Sequence, residues 1–321
     1  MMKSCYSLMS VVAYALCFTA CQKELCYDHN HDQAQSATLN VVFDWVGSPQ
    51  ANPTSMRFIA FRETPEEPMT VRDFNGRNGG QTTMGEGEYK AIGFNLNTTN
   101  ILSRGSTWAT YEMYTPLATP LMARSRTVRF AEGTEEQPTV LQPDMLWTGA
   151  NNVITLVAGE EESITVPMQV AVYTYKIIID SVENIRNISY LIAGLSGMSE
   201  SMFPSTGIPS DTRAIFPFSM EAVDNTAIQG TVRTFGHCPD DMYQHLLTLY
   251  IQLLDNTEMT FTFDVTEQMH DVDHVIIDGT GRVEKPIVIS GLTLPEPPTG
   301  MYWNTTIGDW NSGGIYEGII N

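Results

Sequence analysis

The 321-residue sequence predicts an all-β fold of two β-sandwiches in tandem, on three observations. Short stretches in which apolar and polar residues alternate recur along the chain, the period-2 signature of half-buried strands. Gly, Pro, Asn and Thr clusters separate them, and no amphipathic helix of useful length intervenes, the pattern of a sandwich rather than of an α/β fold. Finally, Pro167-Met168 break a strand-like run. A proline inside a continuous central strand would remove a ladder hydrogen bond, so a domain boundary near Met168 accounts for the break.

The chain opens with Met1, Met2 and Lys3, followed by an uncharged apolar run from Tyr6 to Phe18. That run falls short of the roughly 20 apolar residues of a membrane-spanning helix. A positive start, an apolar run and a small-residue end make residues 1–20 a secretory signal peptide. Its last residues, Phe18-Thr19-Ala20-Cys21, resemble the bacterial lipobox, with Phe18 where leucine is commonest. Cys21 is therefore the expected lipid-attachment residue, the alternative being ordinary cleavage near Ala20. Two or more acyl chains anchor a protein stably where one does so only marginally. Residues 21–37 are polar and aperiodic, and read as a tether.

The first sandwich is assigned to residues 38–168. In "TLNVVFDW" (Thr38 to Trp45), Leu39, Val41, Phe43 and Trp45 share one face, and "SPQANPTS" supplies the following turn. "MRFIAFRE", "TVRDF", "EYKAIGFNL", "WATYEMYT", "RTVRF" and "NVITLVA" continue the series, with "NGRNGGQTTMGEG" (Asn75 to Gly87) read as a turn cluster. The second sandwich is assigned to residues 169–294. It opens with Ala171, Tyr173, Tyr175, Ile177 and Ile179 alternating against Thr174, Lys176 and Asp180. "ISYLIAGLSG", "AIFPFSME", "AIQGTVRTFG", "LLTLYIQLLD", "MTFTFDVT", "HVIID" and "PIVISGLTL" follow as strands. Pro295, Pro297 and Pro298 end it, leaving residues 295–321 as a Pro-rich linker and an aromatic tail.

Lys and Arg total 17 against 37 Asp and Glu, a formal charge of -20. Such a surface disfavours nucleic acid and anionic phospholipid as partners. Cys5 and Cys17 leave with the leader. With Cys21 acylated, Cys26 and Cys238 are too few for a disulfide framework, although a single bridge between them stays open.

Three clusters invite sharper chemistry. "CYDHNH" gathers Cys26, Asp28, His29 and His31, "MHDVDHVIID" gathers His270, Asp271, Asp273 and His274, and "FGHCPDDMYQH" offers His237, Cys238 and His245. Imidazole and thiolate are good zinc ligands, and a Cys-His pair can act as a nucleophile. The first cluster reads as tether, however, the second as a turn between strands in which His270 and His274 do not face each other. The third lacks an oxyanion-hole turn. The sequence thus assigns no catalytic residue, no metal site and no cofactor. Trp45, Trp108, Trp147, Trp303 and Trp310 could stack on sugars if they line one exposed surface; strand aromatics otherwise fill cores.

Lipobox, polar tether, a first strand of the "VVFDW" type, the "TVPMQVAVYTYKIII" junction, "ISYLIAGLSG" and a Trp-bearing tail together resemble the fimbrillin-like lipoproteins of the Bacteroidales. The nearest type is the FimB-like fimbrial anchor and accessory family with its lipoprotein relatives. The resemblance implies two transthyretin-like Greek-key sandwiches and outer-membrane attachment through the lipid on Cys21. It also implies a non-enzymatic role as anchor or accessory subunit of a surface pilus in adhesion, with pilin subunits as partners. Such subunits join by strand addition, an incoming strand satisfying the free backbone groups of a sheet edge. An anchor is expected to keep its own N-terminal strand, and the tail from Met301 to Asn321 would be either a donor strand or a closed edge. A surface glycan-binding lipoprotein is the alternative.

Overall fold

The computed structural model describes residues 36–63, 67–118, 131–238, 243–270, 276–277 and 279–297. The leader, Cys21, almost all of the tether, the "RTVRF" segment and the C-terminal tail lie outside the described residues, as do Cys26 and His274.

The fold is all-β. The first half carries β1 (Ser36–Asp44), β2 (Ser55–Arg62), β3 (Thr70–Asn75), β4 (Gly79–Gly85), β5 (Gly87–Asn95), β6 (Leu102–Arg104), β7 (Glu112–Tyr114), β8 (Trp147–Leu156) and β9 (Glu161–Pro167). The second carries β10 (Gln169–Val170), β11 (Tyr173–Glu183), β12 (Ile188–Ser199), β13 (Ser201–Phe203), β14 (Ile208–Pro209), β15 (Arg213–Ala222), β16 (Ile228–Thr234), β17 (Leu246–Leu253) and β18 (Glu258–Asp264). One short helix, α1 (Thr266–His270), precedes β19 (Ile276–Ile277), β20 (Arg282–Val283) and β21 (Ile287–Thr293).

In the first half a three-stranded sheet, β4-β1-β9, faces a five-stranded sheet, β10-β8-β5-β2-β3, whose edge strand β10 comes from the start of the second half and pairs with β8. Leu39, Val41 and Phe43 of β1 meet Met56 and Phe58 of β2 and Ile164 and Val166 of β9 in the core between them. The alternation read in "TLNVVFDW" is therefore the inward face of β1, which begins two residues before Thr38. Pro167 closes β9 at a sheet edge, where a missing N–H costs no ladder bond. The second half is one ladder, β18-β17-β12-β15-β16-β11-β20-β19, with β21 added on β11. Strand β15 pairs with β12 through its first part and with β16 through Met220, Glu221 and Ala222, so the ladder turns over on itself at that strand. Tyr175, Ile177, Phe216, Phe218, Leu247 and Leu249 fill the core so enclosed.

Two elements depart from the reading of the sequence. The Gly-rich cluster after Asn75 contains a full strand, β4, paired to β1 from Ser36↔Gly85 to Val42↔Gly79. Gly79 has φ +89° and a Cβ there would stand 2.1 Å from the Val41 carbonyl oxygen, so the glycine permits the close pairing that its composition seemed to argue against. The strand expected over "WATYEMYT" shortens to β7, because the N–H groups of Thr110 and Tyr111 turn back to the Thr107 carbonyl.

A third core lies on the other face of the five-stranded sheet. Ile59, Phe61, Ile92 and Phe94 pack there with Tyr111, Met113, Ala171, Val172, Met202 and Phe235. Both faces of β2 and β5 are thus covered, which is why "MRFIAFRE" and "EYKAIGFNL" read as near-continuous apolar runs. A small sheet, β14-β13-β7-β6, ties the halves together through Ser201↔Tyr114 and Met202↔Met113. Arg104 forks onto Glu112, Nε to Oε2 at 2.6 Å and Nη2 to Oε1 at 2.9 Å, and the Ser201 hydroxyl donates to the same carboxylate. Arg104 above all, then Ser201, holds the Glu112 carboxyl below the ordinary glutamate value of 4.5 against the opposing effect of burial. A carboxylate lowered on folding adds stability above that ordinary value and loses it as pH falls through the lower, folded one. Glu112→Gln is expected to cost about 1 kcal/mol at neutral pH, a modest figure because solvent reaches Arg104. Urea unfolding at neutral and acid pH checks this: the gap between variant and parent should close in acid, and a gap independent of pH would refute the assignment.

Candidate functional site

Two places combine unusual backbone with polar or exchangeable contacts. The first is the seat of β1. This strand is central in its sheet, antiparallel to β4 and parallel to β9 from Thr38↔Glu161 to Asp44↔Pro167. Its inward side chains, Ala37, Leu39, Val41 and Phe43, are each at most 3% exposed. Without β1, the facing edges of β4 and β9 would border a groove with four apolar subsites.

The second is a cluster of three histidines. β12 carries a bulge between Leu195 and Met198, where Gly197 adopts φ +79° and its N–H donates to Gln137 Oε1 at 2.9 Å. The space left by the absent Cβ admits His245, whose Nδ1 would be 2.8 Å from it. His245 immediately precedes β17, and its N–H donates to Thr266 Oγ1 at 2.9 Å while its carbonyl accepts from Val265. Those bonds fix the start of α1, which Asp264 supports by accepting from the Thr266 N–H at 2.9 Å. One turn later the helix ends at His270. His237 follows β16 and forms an antiparallel bridge with Met198, just beyond the bulge.

The result is convergence. One ring nitrogen from each of His237, His245 and His270 lies within 4.8 Å of the other two. His245 Nε2 and His270 Nε2 are 3.1 Å apart, and His237 Nδ1 is 2.9 Å from the Cys238 carbonyl oxygen. The rings pack at centroid distances of 5.1 to 5.8 Å. His245 is 1% exposed, and its Nδ1 is buried without a hydrogen bond of good geometry. Burial first, then His237 and His270, push its pKa down to about 4, against a weaker upward pull from the Ser196 carbonyl and Asp264. It is therefore a neutral imidazole at physiological pH, the form that binds metal ions.

These three residues come from two sequence clusters that had no visible connection. His270 joins His237 and His245, while Asp271 and Asp273 lie outside the described residues. The turn expected at His270 is in fact the end of a helix. Cys238 is buried, and the Ser199 hydroxyl donates toward its sulfur, Oγ to Sγ 3.6 Å. Cys21, the expected lipid site, is outside the described residues.

The tryptophans take the core alternative where they are described. Trp45 is 6% exposed, donates Nε1 to the Arg77 carbonyl at 2.8 Å and meets Trp147 edge-on at 6.4 Å. Trp147 Nε1 donates to the Gly279 carbonyl at 3.1 Å, and Trp108 packs against Phe61 at 6.1 Å. They form no coplanar exposed platform. Among the described residues no helix is long and apolar enough to cross a membrane.

Comparison with known proteins adds three findings. Residues 20–219 match the family model described as a domain of unknown function, DUF5119. No curated protein matches the chain. Among solved structures, a candidate adhesin from Bacteroides ovatus superposes with a TM-score of 0.62 at 20% identity, over 81% of this chain and 94% of that one. The fimbrial anchor protein Mfa2 from Porphyromonas gingivalis gives a TM-score of 0.46 at 11% identity, over 77% and 87%. A candidate polysaccharide-binding protein from Bacteroides thetaiotaomicron gives 0.48 at 8% identity, over 79% and 89%.

Proposed function

The chain belongs to the DUF5119 family, and from that premise we propose that it is a non-enzymatic, lipid-anchored adhesion protein of the outer membrane. In this reading it serves as anchor or accessory subunit of a surface pilus. The seat of β1 is the observation that carries the reading. A subunit that polymerises by strand addition must leave a groove open for its neighbour, whereas this chain fills the space between β4 and β9 with its own first strand. Such a subunit can end or hold an assembly at that groove without accepting a further strand there. The position of β1 also fits anchoring, since its N-terminal continuation runs to Cys21 through a polar segment. The fold is shared with a candidate adhesin, which is in keeping with the role.

Two measurements test it. Cys21→Ser is expected to move the protein from the membrane fraction to the soluble fraction after export, and full retention at the membrane would remove the lipid anchor from the proposal. The native protein is expected to co-purify with polymerised pilin from the cell surface. Repeated absence from pilus preparations that contain their other subunits would overturn the pilus role.

A further inference from the structure

We propose that His237, His245 and His270 bind a first-row divalent transition-metal ion of the Zn2+ class, which clamps the ends of β16 and α1 to the start of β17. The spacing is that of a site needing little adjustment. With Zn–N bonds of about 2.0–2.1 Å, tetrahedral ligand nitrogens stand about 3.3 Å apart. His245 Nε2 and His270 Nε2 are 3.1 Å apart, and all three ligand atoms lie within 4.8 Å of one another.

Orientation points the same way. Metal-bound histidines commonly give their second ring nitrogen to a backbone carbonyl, which fixes the tautomer and turns the other nitrogen to the ion. His237 Nδ1 makes that contact with the Cys238 carbonyl. The backbone beneath is held by the Gly197 bulge, the Met198↔His237 bridge and the Thr266 hydroxyl, so ligands far apart in sequence sit on segments tied to the paired strands. At His245, 1% exposed, Nδ1 is buried on the Gly197 side beside the Ser196 carbonyl, and Nε2 is the nitrogen turned to His270.

The donor set narrows the ligand. Three imidazole nitrogens suit Zn2+, Cu2+ or Ni2+, while Ca2+ and Mg2+ require oxygen. Three protein ligands leave a tetrahedral position for water or an external group, and His237 and His270, only half-buried, give solvent a route to it. A plain His–His hydrogen bond between edge-on rings is the competing account, and it predicts no metal affinity.

The test uses the purified full chain stripped of metal, with Zn2+ for calorimetry and melting and Co2+ for visible absorption. One ion per chain is expected, with the d–d bands of tetrahedral Co2+. The melting temperature should rise by about 5 °C at free Zn2+ 100-fold above the dissociation constant. His245→Gln and His270→Gln should each weaken binding about 100-fold, and His270, at the end of α1 and half-buried, tolerates replacement without disturbing a core. A His29→Gln/His31→Gln double variant should bind as the parent does. No binding by the parent, or binding undiminished in both single variants, overturns the site.

Discussion

Deletion of β1, residues Ser36–Asp44, is expected to unfold the first sandwich rather than merely soften it. Leu39, Val41 and Phe43 are buried in its core, and removing each side chain of this kind costs about 2–5 kcal/mol. Together, at about 6–15 kcal/mol, they match the roughly 5–15 kcal/mol that typically separates a folded domain from its unfolded state, before the unpaired backbone of β4 and β9 is counted. Thermal unfolding followed by circular dichroism should show loss of the transition belonging to this core. A synthetic peptide spanning Ser36 to Trp45 should restore it, because the groove presents the same ladder and the same four apolar subsites in trans. A deletion variant melting within a few degrees of the parent would mean that β1 is a dispensable cover. The groove between β4 and β9 would then not depend on β1 to be filled.

Gly197→Ala is expected to cost roughly 2–5 kcal/mol, far more than an ordinary surface glycine. Two costs combine. The residue holds φ +79°, which an L side chain adopts with strain, and its Cβ would sit 2.3 Å from the Gln244 carbonyl oxygen and 2.8 Å from His245 Nδ1. The first neighbour is backbone, so the clash cannot be relieved by a rotamer change. Strand β12 or the entry to β17 must shift, and the bulge that bonds Gln137 is lost. Urea unfolding measures the loss directly, and a change below about 0.5 kcal/mol would show that the bulge is soft.

Gly197 also shows where reading the sequence stops. "ISYLIAGLSG" identifies a strand by composition, and β12 duly occupies Ile188–Ser199. Nothing in those letters marks Ser196-Gly197 as a bulge, since a bulge is defined by what lies opposite. The same holds for β4: Gly79 to Gly85 is turn-like in composition, and only the presence of β1 beside it turns seven such residues into a strand. In the reverse direction "WATYEMYT" has the composition of a strand, yet a local turn at Thr107 to Tyr111 captures half of it. Continuous burial of β2 on both faces likewise depends on the third core, assembled from residues as distant as Phe235.

The histidines make the point for the candidate site. His237, His245 and His270 were each visible as members of local clusters, and each cluster taken alone pointed elsewhere: one to a Cys-His pair, one to an acidic turn. Metal-like spacing emerges only when β12 bulges, His245 enters the gap and Thr266 fixes α1 over it. The Trp45–Trp147 contact behaves similarly. Both residues were candidates for an exposed platform, and sheet packing turns them toward each other.

By itself the sequence determined the all-β class and the position of most strands, because alternation along a strand is written residue by residue in the chain. It also determined the acidic charge and the Pro167 break, both local properties. The tertiary structure alone decided that β1 lies between β4 and β9, and that three histidines from separate segments meet. Both depend on contacts between residues far apart in the chain, where the energy of a pairing belongs to neither partner's local sequence but to the geometry that brings them together.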